Sequence, residues 1–441
     1  MYPKCPKPAF SLTTVLMVLV VCMALTAVSL RQVGMAKMTH LERMRRLEAT
    51  WAAESGLAHA LSYLENIHQW GELGGLNGKT LTWPSGQSAK IQVRETLGFV
   101  RVTVTGMVAS GEHVLDALVG QKPLFPETTR LVIAEGPEPF YTSGETSIQG
   151  DVFLPGGVLQ PRELHGVAAS RYPFVDGEIA AFETAQRLQI APFSKDAIIR
   201  EITQARTTLL TQVPKLADLE TWSLDGKTVV IPGDFTVPNH IQSVQGPGKL
   251  LVQGRLTLAH PLEIRGFPLL VTGGDFISDS DLLFSGSIYA GGDLHFSGKT
   301  RGFCFLVGGQ RMHFGPETDL GDASSIWLAP MQTLNPQGQA TVMMEGKIRG
   351  VIASWADYNV QTLIRVMPSA EVSGSILAQD RLILEAPMAG QVATRKFETL
   401  RGARSFDNWL RGTQIRSMDQ PLEAVPFGFG QGSKVLGWIK R

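Results

Sequence analysis

Hydrophobic residues are distributed along this chain in three regimes. Residues 10–30 (FSLTTVLMVLVVCMALTAVSL) carry no charge. At the helical rise per residue this stretch is roughly 31 Å long, matching the ~30 Å hydrocarbon core of a bilayer. Beyond it the apolar residues fall at Met38, Leu41, Met44, Leu47, Trp51, Leu57, Leu61 and Leu64. Steps of mostly three or four place them on one helical face. Glu42, Arg43, Arg45, Arg46, Glu48 and Glu54 lie between them, and no proline occurs from Phe10 to Leu64. The pattern predicts one long rod, a transmembrane helix over 10–30 continued by an amphipathic helix over 31–66. Ala27-Val28-Ser29 offers a small-x-small cleavage site. The apolar run, however, exceeds the ~7–15 residues of a signal-peptide core, so a retained membrane helix is expected.

The second regime follows a glycine-rich break at 71–78. Residues 89–95, 99–105 and 113–119 alternate apolar and polar positions, with Gly98 and Ser110-Gly111 between them. Period two separated by turn residues predicts a small antiparallel β meander over 79–125. The third regime is repetitive. Leu250-Leu-Val-Gln-Gly254, Leu269-Leu-Val-Thr-Gly-Gly274, Ser287-Ile-Tyr-Ala-Gly-Gly292 and Phe303-Cys-Phe-Leu-Val-Gly-Gly309 close on glycines 20, 18 and 17 residues apart. Gly350-Val-Ile-Ala-Ser-Trp and Gly374-Ser-Ile-Leu-Ala echo the theme, and Gly150-Asp-Val-Phe-Leu anticipates it. One coil per repeat predicts a parallel β-solenoid over 130–400, with glycines at the corners. An antiparallel sandwich with glycine turns is the competing arrangement. A helical insertion is predicted over 194–213, capped by Ser194 and stopped by Pro214. Its apolar positions Ala197, Ile198, Ile202, Ala205, Leu209 and Val213 would pack on the side of the solenoid. Residues 401–441, which include Phe427-Gly-Phe-Gly and Val435-Leu-Gly-Trp438, read as a C-terminal closing strand or cap. The fold class is therefore mainly β with a long N-terminal α-helix.

Three features of the first 65 residues carry a family resemblance. Residues 1–9 (MYPKCPKPA) form a short basic leader ending in a small residue, and Phe10 opens the apolar helix. Trp51-Ala-Ala-Glu54-Ser-Gly56-Leu-Ala-His-Ala-Leu61 completes the set. Together they resemble the PilX-type minor pilins and pilus-assembly proteins of type IV pili. The resemblance implies cleavage between Ala9 and Phe10 by a prepilin peptidase, assembly with other pilin-like subunits through the N-terminal helix, and no catalysis. Ala9 replaces the family's usual glycine, and Thr14 stands where most pilins carry glutamate at the fifth mature position. Thr14, Trp51, Glu54 and Leu57 are the residues it marks for assembly. Glu54 reads first as a helix-surface residue, and Trp51 and Leu57 as packing on the chain's own β-domain or on partner helices. The repeats are also similar to polymer-forming, bactofilin-like sequences.

Composition narrows the function classes. Forty basic residues balance 40 acidic ones among 441, and 44% of residues are hydrophobic. An ordinary apolar fraction without charge excess excludes a disordered chain. The absent basic surplus argues against nucleic acid as a partner. Charge is uneven locally. Lys4 and Lys7 precede the apolar helix, whereas Arg31, Lys37, Arg43, Arg45 and Arg46 follow it. A positive-inside count places the C-terminal side in the cytoplasm, while the resemblance implies a single-pass protein of the bacterial inner membrane with its C-terminal domain outside. The three cysteines, Cys5, Cys22 and Cys304, sit at no metal spacing. Asp275, Asp279, Asp281 and Asp293 recur on adjacent coils, and paired carboxylates serve acid/base work in glycan-active solenoids. Asp after Gly is also an ordinary turn residue. His295 and His313 fall at equivalent coil positions. Two histidines make a poor ligand set without a third partner. No cofactor, metal or catalytic residue is predicted. A membrane-tethered scaffold polymer and a carbohydrate-active or carbohydrate-binding solenoid are the alternatives.

Overall fold

The structure, a computed structural model, describes residues 12–66, 70–96, 98–109, 111–136, 139–182, 195–208, 219–330, 338–356, 360–401, 404–407, 409–419, 425 and 430–438. Two compact units divide the chain, one made of residues 1–60, 78–92 and 103–116, the other of residues 61–77, 93–102 and 117–441. The rod forms as a single helix, α1 (Leu12–Glu65). Four strands of the small sheet follow, β1 (Thr80–Thr82), β2 (Ser88–Thr96), β3 (Phe99–Val108) and β4 (Gly111–Pro123). The alternating burial along β3 shows why period two was legible there. The closing strand Gly430–Trp438 pairs antiparallel with β4, Val435 opposite Val119. It thus extends this sheet. Phe427 and its neighbours up to Phe429 lie outside the described residues.

The body is the parallel β-solenoid. Each coil contributes a strand to three faces, as in Leu262–Arg265, Leu269–Thr272 and Phe276–Ser278. These pair in parallel with the next coil, Leu262 with Leu282, Leu270 with Ile288 and Phe276 with Leu294. Inward positions stack into continuous columns, one running Phe276, Leu294 and Met312, the next holding Phe296 and Phe314 with 5.4 Å between ring centroids. The closing glycines of the sequence repeat mark the corner between the second and third faces. There the Gly274 amide donates to the Gly254 carbonyl, and that of Gly292 to Gly274. At the corner between the first and second faces the constraint is harder. Gly350, Gly374 and Gly390 adopt φ of +147°, +143° and +130°. A methyl group at Gly374 or Gly390 would lie 1.8 Å from the preceding coil's carbonyl oxygen.

The order of coils in the stack is not their order in the chain. Residues 129–181 build the first coils. The chain then re-enters with Thr221–Ser223 and winds coil by coil to Met388–Arg401, whose residues Val392, Ala393 and Thr394 pair in parallel with Leu131, Val132 and Ile133. The last coils therefore seat on the first. Arg395 spans this seam, reaching Asp380 on its own side and Glu135, 3.7 Å away, on the other. The Glu135 amide donates to the Arg395 carbonyl at 2.9 Å. Parallel coils continue through Gln414–Arg416, beyond the predicted limit at 400.

The second face is buried on both sides. Its outward ladder runs Leu251, Val271, Tyr289, Val307, Trp327, Ala353, Leu377, Ala393 and Val132 in strict register. It forms a second core with Ile198, Ile202 and Ala205 of α2 (Lys195–Thr207). The Arg206 guanidinium fixes the end of α2 by donating to the Gly273 carbonyl at 2.8 and 2.6 Å. Ser194, Leu209, Val213 and Pro214 lie outside the described residues.

Gly374→Ala is expected to lower unfolding free energy by about 2–3 kcal/mol, because both the positive φ and the backbone clash penalise a side chain; urea unfolding measures it, and an unchanged midpoint contradicts the corner argument. Cys304 is fully buried, and desolvation raises its thiol from 9.0 to about 12. Iodoacetamide at mildly alkaline pH should leave it unmodified until denaturant is added. The stability that the buried thiol contributes is complete below pH 9.0 and is lost as pH climbs towards 12.

Candidate assembly surface

Every described side chain of α1 from Val15 to Leu47 is exposed. Met17 is 71% exposed and Leu25 63%. Leaving one such side chain in water forgoes about 1.5–3 kcal/mol. The helix is long and apolar enough to cross a membrane. Apolar exposure continues past residue 30 through Val33, Met35, Met38, Leu41, Met44, Leu47 and Trp51.

Burial begins at Ala49 and follows Ala52, Ala53, Gly56, Leu57, Ala60 and Leu64. The spacing is helical, and the early positions are small for a steric reason. A methyl group on Gly56 would meet Val104 and Ala89 at 2.7 and 2.8 Å. One on Gly106 of β3 would lie 2.1 Å from the Ala49 carbonyl oxygen. The resembling stretch around Glu54 is thus, in part, the face on which α1 seats against its own sheet. The two faces separate the marked residues. Leu57 is 5% exposed and belongs to that packing, whereas Trp51 is 55% exposed and Glu54 is exposed. Thr14 lies within α1. Ala9 and Phe10 lie outside the described residues. Ala49, Ala53 and Gly106 were missed as contact residues, although the recurrence of Ala and Gly at 49, 52, 53, 56 and 60 carried the signal.

The solenoid candidates occupy its third face and corners. Asp275 accepts from the Arg255 guanidinium at 3.0 Å and from the Asp293 amide at 3.0 Å. Asp293 repeats this with the Arg311 guanidinium at 2.6 Å and the Arg311 amide at 3.0 Å. Hydrogen bonding to Asp293 raises the Arg311 guanidinium above its ordinary range. Each carboxylate thus ties one coil to a neighbour. Asp279 accepts from Ser297 at 2.8 Å, and Asp281 is exposed. His295 and His313 do come together. Their rings are stacked 4.9 Å apart with 20° between planes, and the Nδ1 atoms are 3.2 Å apart. Glu345, unmarked by the sequence, lies 3.2 Å from His313 Nε2. It was hidden because the third-face strand before it begins only at Gln339, well after the first two faces of its coil over Asp319–Leu328, breaking the 17–20 residue spacing. Among the described residues no group of three or more His, Cys, Asp or Glu side chains is placed to hold a metal ion.

No protein-family model matches the chain, and no curated protein does. Among solved structures, the competence-associated pilin ComZ from Thermus thermophilus aligns over 90% of this chain and 98% of its own, at 10% identity and a TM-score of 0.21. At that score the alignment establishes no common fold.

Proposed function

We propose that the chain is a pilin-like, membrane-anchored structural component of a bacterial type IV pilus or a related secretion or assembly machine, of the PilX-type minor class, working by assembly and not by catalysis. One observation carries the reading. The exposed apolar surface of α1, from Val15 to Trp51, is longer than a bilayer core. At 1.5 Å per residue it extends over about 54 Å, against ~30 Å of hydrocarbon. Lipid covers the first part, and helices of other subunits cover the remainder. The leader and the stretch around Glu54 agree with this assignment. A membrane-tethered scaffold facing the cytoplasm is the second reading, favoured by the basic residues Arg31, Lys37, Arg43, Arg45 and Arg46.

Mass spectrometry of the mature chain should find Phe10 at its N-terminus; an intact Met1, or a start at Leu30, overturns the pilin-like reading. A C-terminal alkaline phosphatase fusion should be active, and an inactive one paired with a fluorescent C-terminal fusion selects the scaffold. Two substitutions in α1 should separate. Leu57→Ala lowers unfolding free energy by about 2–4 kcal/mol. Trp51→Ala leaves it within about 0.5 kcal/mol and reduces the amount of chain recovered in sheared surface appendages.

A further inference from the structure

We propose, on the reading of α1 as an assembly helix, that the solenoid carries a socket for α1 of a second copy of this chain: Trp51 inserts, and Glu54 pairs with Arg301. The socket lies at the corner between the first and second faces, over three successive coils. Phe267 stands at one corner, Ser285-Gly286 at the next and Phe303 at the third. Phe267 adopts φ of +55° directly before Pro268, a conformation that a bulky side chain and a following proline both disfavour. Little burial is gained in exchange, because the residue is 50% exposed. A backbone outlier kept without a packing gain points to a functional surface. Phe303 is 49% exposed, and Leu283 on the first face is 46% exposed. Phe303 is the register partner of Ser285, and Leu283 precedes Ser285 by two residues on the same side of the strand. Three large apolar side chains thus ring one small one. Two coils separate the phenylalanines, about 9.6 Å along the stack, which is room for one indole. The Phe303 ring leans over the following coil, where a methyl group on Gly321 would lie 2.9 Å from it.

Charge selects the occupant. On this face Arg265 pairs with Glu263, and Arg349 with Asp319. Arg301, exposed beside Leu283, makes no ion pair among the described residues. The socket therefore calls for a large apolar side chain with a carboxylate close by. Trp51 and Glu54 present both from one face of α1, three residues apart. Glu54 likewise makes no ion pair among the described residues. Ser55 and Ala58, the exposed positions that follow on this face, are small and leave the indole standing clear. Trp and Arg are the side chains that most often anchor an interface. Helix and socket are different surfaces, so the contact is heterologous and passes from copy to copy without closing on a pair.

The test co-expresses two differently tagged full-length chains, one with Ser55→Cys and the other with Lys299→Cys, both carrying Cys5→Ser and Cys22→Ser. Neither new cysteine replaces a proposed contact. A short bismaleimide added to membranes should link the two chains as a heterodimer. Trp51→Ala in the first chain, or Arg301→Glu in the second, should abolish the linked product while circular dichroism retains the β signal. Glu54→Arg in the first chain should restore it against Arg301→Glu. Phe267→Gly, which relieves the positive φ, should lose the product without lowering the melting temperature. The proposal is overturned if no heterodimer forms, or if it forms equally well in the Trp51→Ala and Arg301→Glu chains. Linkage only between two Ser55→Cys chains also overturns it, and leaves the pilin-like reading standing. A heterodimer of chains that retain Met1 keeps the socket and removes that reading.

Discussion

The solenoid depends on one distance, the ~4.8 Å between hydrogen-bonded strands. Within that gap the backbone of each coil meets the carbonyls of the coil before it, and wherever the chain turns a corner at positive φ there is no room for a Cβ. Gly350, Gly374 and Gly390 are consequences of this spacing. So are the columns of stacked side chains inside and the ladders of paired side chains outside. Charge obeys the same rule: Asp275 beside Arg255, and Asp293 beside Arg311, neutralise one another across a gap too small for like charges to share.

How much of this was legible in the sequence differs from element to element. The closing glycines at 254, 274, 292 and 309 exposed the repeat, because each coil states the corner requirement again. The seam was not legible. Val132 and Ala393 are register partners although 261 residues separate them, and neither carries a local mark of that pairing. Their hydrophobicity fits any buried strand. The same degeneracy hid the destination of Gly430–Trp438, whose alternation suits an antiparallel sheet edge as well as a solenoid end. Period specifies which residues are buried, and pairing between distant segments specifies against what.

In α1 the legible part was the helix itself, fixed by the apolar run and the absence of proline. Periodicity alone put Trp51 and Leu57 on a common stripe. The structure divides them because a helix seated on a sheet buries only a narrow sector, and here that sector is defined by the small residues Ala49, Ala53, Gly56 and Ala60 and by Gly106 opposite them. Large apolar residues flanking the sector remain outside. A stripe drawn from hydrophobicity joins two surfaces that steric size separates.

The same reasoning assigns roles to the solenoid faces. The second face has its outward ladder, from Leu251 to Val132, buried with the apolar residues of α2 and is not offered to a partner. The first face pairs its own charges, Lys347 with Glu371 at 2.7 Å and Arg349 with Asp319 at 3.6 Å. Exposed pairs of this kind add little stability. The third face differs. Among its outward positions His295 and His313 bring their Nδ1 atoms to 3.2 Å, and Glu345 lies beside His313 Nε2.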